Sequence, residues 1–448
     1  MPGESGRQRA RPYGTPSAGG SGGAEQGGIR LVTLFLVAVV VVSCALVIVE
    51  PGWAPGVLAA DSVAVEVVHA AVSTLWQYAP WMIPAAVLVL VVGFRRRRFR
   101  APPATAVAWA AGLYAGWVVL SAALHWRTGD LRYAVGVPFV LVVLFWALPR
   151  AAGERPTAPL AQLVRVAALA MAVLTAAAGA AALSAHVGYL VPVGGRTILA
   201  WQWPFANKNT LGYLGALGVP AAAALALDAR GGARAGWTAV LLVDLVGLGM
   251  SYARTGWIAA AVGLVVLILG LARGRARVGL LAALAAAAAL VVVKTGATRL
   301  DALWGHGLSG RGGLWAAALA VFRQHPLLGV GPGNAPTALA PYVSAAYRGL
   351  TPHDGALETL VELGLPGLVL AGGAVVAALA RAVRVRGGTP LFWVWLALLL
   401  AALTEQVAES AFFGGVSFED YLLSALVASV VGWERGRGLG FRREGGVF

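Results

Sequence analysis

The chain is short of the residues that cross-link proteins and of those that make a water-facing surface. It has one cysteine, Cys44, in 448 residues, which excludes a disulfide framework and any metal site built from several thiolates. Charged residues make up 12%, about half the share in a soluble domain, too few to cover a globule of this size. Acids are scarcest, 19 against 34 Lys and Arg. There is no His-x-x-x-His pair and no Gly-rich loop followed by Lys-Ser/Thr, so neither a helical zinc-protease motif nor a P-loop is present. The pI near 10.9 does not indicate nucleic acid, because the arginines lie in short clusters between apolar runs and make no continuous basic face.

What the chain has is hydrocarbon. It is 59% hydrophobic, with a mean hydropathy of +0.77, and apolar runs of about 20 residues, each long enough to cross a bilayer as a helix, recur along it. The expected fold is an all-α polytopic membrane protein of about twelve spans. They are placed near 31–49, 72–93, 104–124, 131–148, 160–183, 210–227, 236–250, 255–272, 278–293, 356–380, 390–408 and 418–433. Residues 1–28, rich in Gly, Ser and Pro, read as a disordered tail, and 434–448 as a second tail. Between them lie spans one to nine (29–293), a large loop (294–355) and spans ten to twelve (356–433).

Cytoplasmic loops carry the Lys/Arg excess. With both ends inside, the inner segments hold most of the 34 basic residues, including the Arg95–Arg100 cluster. Arg254, Arg311 and Lys208 fall on the outer side, together with all six histidines and most of the acids. The two long outer segments are about 184–209, rich in aromatics, and the large loop. The seventh and eighth spans touch at Ser251-Tyr252-Ala253-Arg254, where the chain must turn sharply.

The large loop contains SGRGGLWAAALAVFRQHPLLGVGPGN (309–334) and, after a spacer, TPHDGALETLVELGLPG (351–367). Leu314, Trp315, Ala318, Leu319 and Phe322 recur at helical spacing, with Ser309 as N-cap and Pro326 as the stop. The expected element is a short amphipathic helix on the outer surface with Arg311 at its start. Backbone N–H groups and the helix dipole there favour an anion, and a guanidinium adds bidentate phosphate recognition; the alternative is a snorkelling surface arginine. The LLGVGPGN run is a tight turn that brings backbone close to a neighbour.

His353 stands at the mouth of the tenth span, as a general base for a hydroxyl or as a local hydrogen-bonding residue. Thr351 and Asp354 suit helix caps. Asp354, Glu358 and Glu362 form one stripe, with Glu362 deep enough to need a partner or a function. Glu405 and Glu409 line the same region or pair with an arginine. Asp244, inside the seventh span, reads as a structural hydrogen-bonding residue.

These segments, with NKNTLGYLGALGVP (207–220) and SYARTGWIA (251–259) upstream in the same order, resemble the O-antigen ligase and polymerase superfamily of bacterial envelope glycosyltransferases. The resemblance covers about 196–380. It implies a GT-C-like membrane fold in the bacterial cytoplasmic membrane, multi-pass with both termini cytoplasmic. It also implies a metal-independent, inverting transferase without a cofactor. The donor would be a glycan on undecaprenyl diphosphate in the outer leaflet, and the acceptor a hydroxyl of a glycan, lipid or protein. Carried over by motif, Arg254 and Arg311 would hold the diphosphate and His353 would be the base or orient the acceptor. Asp354, Glu358, Glu362, Lys208 and Asn209 would support them, with no metal ligands, and the partners would be membrane lipids and no nucleic acid. The family often has His-Asn where this chain has His353-Asp354. The rival reading is a transporter or flippase of lipid-linked sugars, which would need polar residues near the membrane midplane; a third is a non-catalytic envelope scaffold.

Overall fold

The computed structural model describes residues 105–126, 131–147, 149, 157–185, 188–193, 196–203, 205, 208–294, 311–407, 409 and 418–433. The two expected spans at 31–49 and 72–93, both tails and the Ser309 cap lie outside the described residues. The other ten expected spans each coincide with a helix. These are α1 (Ala106–Leu124), α2 (Leu131–Val142, continued by a π-helical turn Val143–Ala147), α3 (Ala158–Ala185), α4 (Lys208–Asp228) and α5 (Gly231–Ser251). After them come α6 (Arg254–Leu271), α7 (Gly274–Lys294), α10 (Gly355–Arg386), α11 (Pro390–Glu405) and α12 (Phe418–Ser429). Between α7 and α10 lie α8 (Arg311–Gln324) and the short α9 (Ala335–Leu339). Six of these helices are long and apolar enough to cross a bilayer: α1, α3, α4, α5, α6 and α10. The chain is a mostly helical, multi-pass membrane protein.

One element departs from the all-α expectation. The aromatic segment after α3 forms an antiparallel hairpin of β1 (Tyr189–Val193) and β2 (Arg196–Ala200), in register Tyr189 to Ala200 and Val193 to Arg196. The alternating run YLVPV, Gly194-Gly195, RTILA carries the hairpin signal, which the apolar-run reading passed over. The hairpin is tied to the bundle where Trp201 N–H donates to the Met250 carbonyl (2.8 Å) at the end of α5.

At the centre of the bundle is α4, with nearly every residue from Leu211 to Ala226 buried. Its small residues permit close approach: a Cβ on Gly212 would overlap that of Ala253, and a Cβ on Gly256 would meet the Gly212 carbonyl oxygen at 2.7 Å. This packing fixes the turn between α5 and α6. Only Tyr252 and Ala253 separate the helices, and Tyr252 adopts φ 49°. Ser251 Oγ accepts from Ala253 N–H at 3.2 Å, and Trp257 Nε1 donates to the Leu248 carbonyl at 2.8 Å. Asp244 corrects its sequence reading, for it is fully buried and neither carboxyl oxygen is hydrogen-bonded.

The helix that positions the site is α10, and it is broken. Gly364 has φ 66° and Pro366 follows. Proline lacks an N–H, so the carbonyls one turn earlier need other donors. Each finds one. The Val361 carbonyl accepts from Val330 N–H (2.9 Å), the Glu362 carbonyl from Gly331 N–H (3.0 Å) and the Leu363 carbonyl from Trp117 Nε1 of α1 (2.9 Å). Leu365 N–H donates in turn to the Pro326 carbonyl at 2.8 Å. The LLGVGPGN turn is therefore a clamp on the break, and the neighbour it approaches is α10 itself. Gly329, Gly331 and Gly333 all have positive φ, and a Cβ on Gly329 would strike the Glu362 backbone.

Candidate functional site

The expected helix after Gly310 is present as α8 and ends before Pro326, but its buried face is Leu314, Ala317, Ala318 and Val321. Leu319 is exposed. The packed stripe is turned from the expected one because α8 lies against α10 and α9, not on a membrane surface alone. Trp315, expected in the apolar stripe, instead donates from Nε1 to the Pro352 carbonyl at 3.1 Å. That bond draws the start of α8 to the loop before His353.

Arg311 and His353 converge on one carboxylate, that of Glu409, just beyond α11. Arg311 Nη2 lies 3.0 Å from Glu409 Oε1, and Asn209 Nδ2 donates to the same oxygen at 2.8 Å. Glu409 Oε2 stands 4.0 Å from His353 Nδ1. Lys208 donates to the Asn209 side-chain oxygen (3.2 Å) and to the Tyr252 carbonyl (2.9 Å), which ties the start of α4 to the α5–α6 turn. Arg254, the first residue of α6, is solvent-facing and within electrostatic range of Lys208, as are Arg311 and Glu409. Arg254, Arg311, Lys208, Asn209, His353 and Glu409 thus occupy one end of the bundle, brought there by five separate stretches of chain.

Both non-glycine residues with left-handed backbone among the described residues, Tyr252 (φ 49°) and His353 (φ 52°), border this site. Such conformations cost on the order of 1–3 kcal/mol and persist where the surroundings impose them. For His353 the surroundings are the Trp315–Pro352 bond before it and the Gly355 N–H bond to the Gln406 carbonyl (2.9 Å) after it. Its half-buried imidazole is held below the usual histidine range, first by desolvation and then by the Arg311 charge. The carboxylate 4.0 Å away does not reverse this, because its other oxygen, Oε1, is taken by Arg311 and Asn209. The neutral, proton-accepting form is favoured.

Asp354 is the N-cap of α10 and accepts from Leu357 N–H at 2.8 Å. Burial pushes its carboxyl up, opposed by the N–H groups of Leu357 and Ala356, so its side chain serves the helix. Glu362 is buried and accepts from Ala335 N–H at 3.3 Å, capping α9. Glu358 and Glu362 act electrostatically on Tyr114, so these two acids belong to the packing beneath the site. Glu409 was legible only as a partner for some arginine; nothing local to its sequence marks it as the group all the others meet. Among the described residues, no three His, Cys, Asp or Glu side chains gather closely enough to hold a metal ion.

Residues 238–372 match the O-Antigen ligase family model. That stretch is similar to the O-antigen ligase family domain. The matched segment runs from α5 to the middle of α10 and contains Arg254, Arg311 and His353, whereas Lys208 and Asn209, at the start of α4, and Glu409, beyond α11, lie on either side of it. The family supports a glycosyltransferase-type activity in polysaccharide biosynthesis, with a lipid-linked glycan donor and an acceptor. No curated protein matches the chain.

Proposed function

We propose that the protein transfers a glycan from an undecaprenyl-diphosphate donor to an acceptor hydroxyl at the outer face of the cytoplasmic membrane, as a ligase or a polymerase. The observation that carries this reading is the meeting of Arg311, Lys208 and Arg254 with His353 at one end of the bundle. Three cations around a single carboxylate leave an excess of positive charge for a diphosphate. A neutral imidazole beside them suits an acceptor hydroxyl.

In the reaction, the acceptor oxygen forms a bond to the anomeric carbon while the bond from that carbon to the diphosphate oxygen breaks. Attack from the face opposite the leaving group inverts the configuration. The hydroxyl proton passes to His353, and the departing electron pair stays on the lipid diphosphate, whose charge Arg311 and Arg254 hold with Lys208. The sugar arrives already activated on its lipid, so the transfer needs no nucleotide site. The cations and the base lie at the helix ends, where a headgroup in one leaflet is reached, and not at the midplane as a flippase would require.

The test is reconstitution of the full chain with labelled undecaprenyl-diphosphate glycan and candidate acceptors. Wild type should form a glycosidic product. Arg311→Ala should lose about 10²–10³-fold in rate, the cost of removing one charge-stabilising donor, and His353→Ala about 10²-fold or more. Movement of lipid across the bilayer without any glycosidic product would overturn the proposal.

A further inference from the structure

Glu409 is placed as a competitor for the very cation that the donor needs. Its Oε1 occupies Arg311 at 3.0 Å and Asn209 at 2.8 Å, while its Oε2 waits 4.0 Å from His353 Nδ1, just outside hydrogen-bonding distance. A diphosphate seated on Arg311 displaces that carboxylate by charge repulsion and by taking its donors. A short movement then brings Glu409 onto the Nδ1–H of His353. We propose that Glu409 is an exchangeable positioning residue, paired with Arg311 before the donor binds and with His353 once the donor is seated, so that donor binding switches on the base. This rests on the diphosphate-donor reading above.

The exchange is consistent with the groups facing His353. Arg311 from α8 and Glu409 from beyond α11 are the nearest charges, Lys208 of α4 and Arg254 of α6 lie on the Arg311 side, and Asp354 is turned to the α10 backbone. While Glu409 serves Arg311, the histidine feels a net positive neighbourhood and stays a weak base. Once Arg311 is neutralised by diphosphate, a carboxylate on Nδ1 fixes the tautomer and strengthens the opposite ring nitrogen for the acceptor proton, the logic of a histidine oriented by an acid. The left-handed backbone of His353 goes with a ring whose Nδ1 stands 4.0 Å from Glu409. The order that follows is donor first and acceptor activation second, which protects the activated sugar from premature attack by water.

The measurement compares wild type with Glu409→Gln in the full reconstituted chain, using undecaprenyl diphosphate as the binding probe and the labelled donor for transfer. Glu409→Gln should bind undecaprenyl diphosphate about 3- to 10-fold more tightly, since a partly buried competing charge is gone, and yet transfer at least about 10-fold more slowly at saturating donor. In wild type the acid limb of kcat, which reports the donor-bound enzyme, should lie roughly one pH unit above that of kcat/KM, which reports the free enzyme. In Glu409→Gln the two limbs should draw together. Coincident limbs in wild type, a readout needing no variant, would overturn the exchange. So would parallel losses of lipid affinity and rate in Glu409→Gln, which would make Glu409 a fixed brace for Arg311. Wild type that binds no undecaprenyl diphosphate overturns the function proposal itself, and with it the exchange.

Discussion

At the level of single residues, the site is defined by conflict between what a side chain prefers and where the fold holds it. His353 has a backbone conformation that costs an L-residue about 1–2 kcal/mol and glycine almost nothing. His353→Gly should therefore be about 1 kcal/mol more stable than His353→Ala, measured by thermal unfolding of the purified chain in detergent, while both lose transfer. Equal stability would mean that the left-handed backbone carries no strain. The imidazole supplies a second expectation. Burial and Arg311 lower its proton affinity, so the free enzyme keeps a neutral base below the ordinary histidine value of about 6.5. The sign follows directly: activity is present above the depressed value and is lost as pH falls through it. The acid limb of kcat/KM should lie below about 6.5 and move up in Arg311→Gln, since removing the guanidinium removes one of the two lowering causes.

At the level of elements, the working part is the break in α10. Its cap and first turns carry Asp354, Glu358 and Glu362, and His353 lies just before the cap. The break depends on Gly364, whose positive φ (66°) and packing against the Leu327 carbonyl leave no room for a Cβ. Gly364→Ala should destabilise the protein by roughly 2 kcal/mol or more. Gly372→Ala, on the same helix in open space, should be neutral or stabilising by up to about 1 kcal/mol; thermal unfolding of the two variants in one detergent decides. The elements were unevenly legible. Long apolar runs announced the ten helices, and the contact at Ser251–Arg254 announced the sharp turn, because membrane spans are written in composition. The hairpin after α3 was not read, and the LLGVGPGN turn was read as a close backbone approach without its neighbour, since both are set by pairing with distant backbone. Arg254 and His353 stood out as polar residues at span mouths, and Arg311 as a cation at the start of a helix in the large loop. Glu409 was read as a partner for an arginine, but not for which one, because its role exists only where α4, α8 and the end of α11 meet. The amphipathic stripe of α8 was read one residue out of phase, since α10 and α9 and not a membrane surface determine which face is buried.

At the level of the whole molecule, the bundle has two chemically distinct ends. One gathers Lys208, Arg254, Arg311, His353 and Glu409. The other carries the arginine-bearing joins between α4 and α5 and after α10, with Arg230, Arg234, Arg384 and Arg386, and there Arg381 donates to the carbonyls of Val430, Val431 and Trp433 at the end of α12. Under the proposed function the arginine-bearing joins face the cytoplasm, as the Lys/Arg excess of cytoplasmic loops would have it, and the proposed outer-leaflet donor requires the same orientation. Two exposed positions test it. In a Cys44→Ala background, Ser344→Cys, exposed in the segment between α9 and His353, should react with a membrane-impermeant thiol reagent in intact cells. Gly232→Cys, at the α4–α5 join where an added Cβ meets nothing within 4 Å, should react only after the membrane is opened. The reverse pattern would put the cations and His353 on the cytoplasmic side. An outer-leaflet donor could not reach them there, and the proposed reaction would fail on topology before any question of catalysis arose.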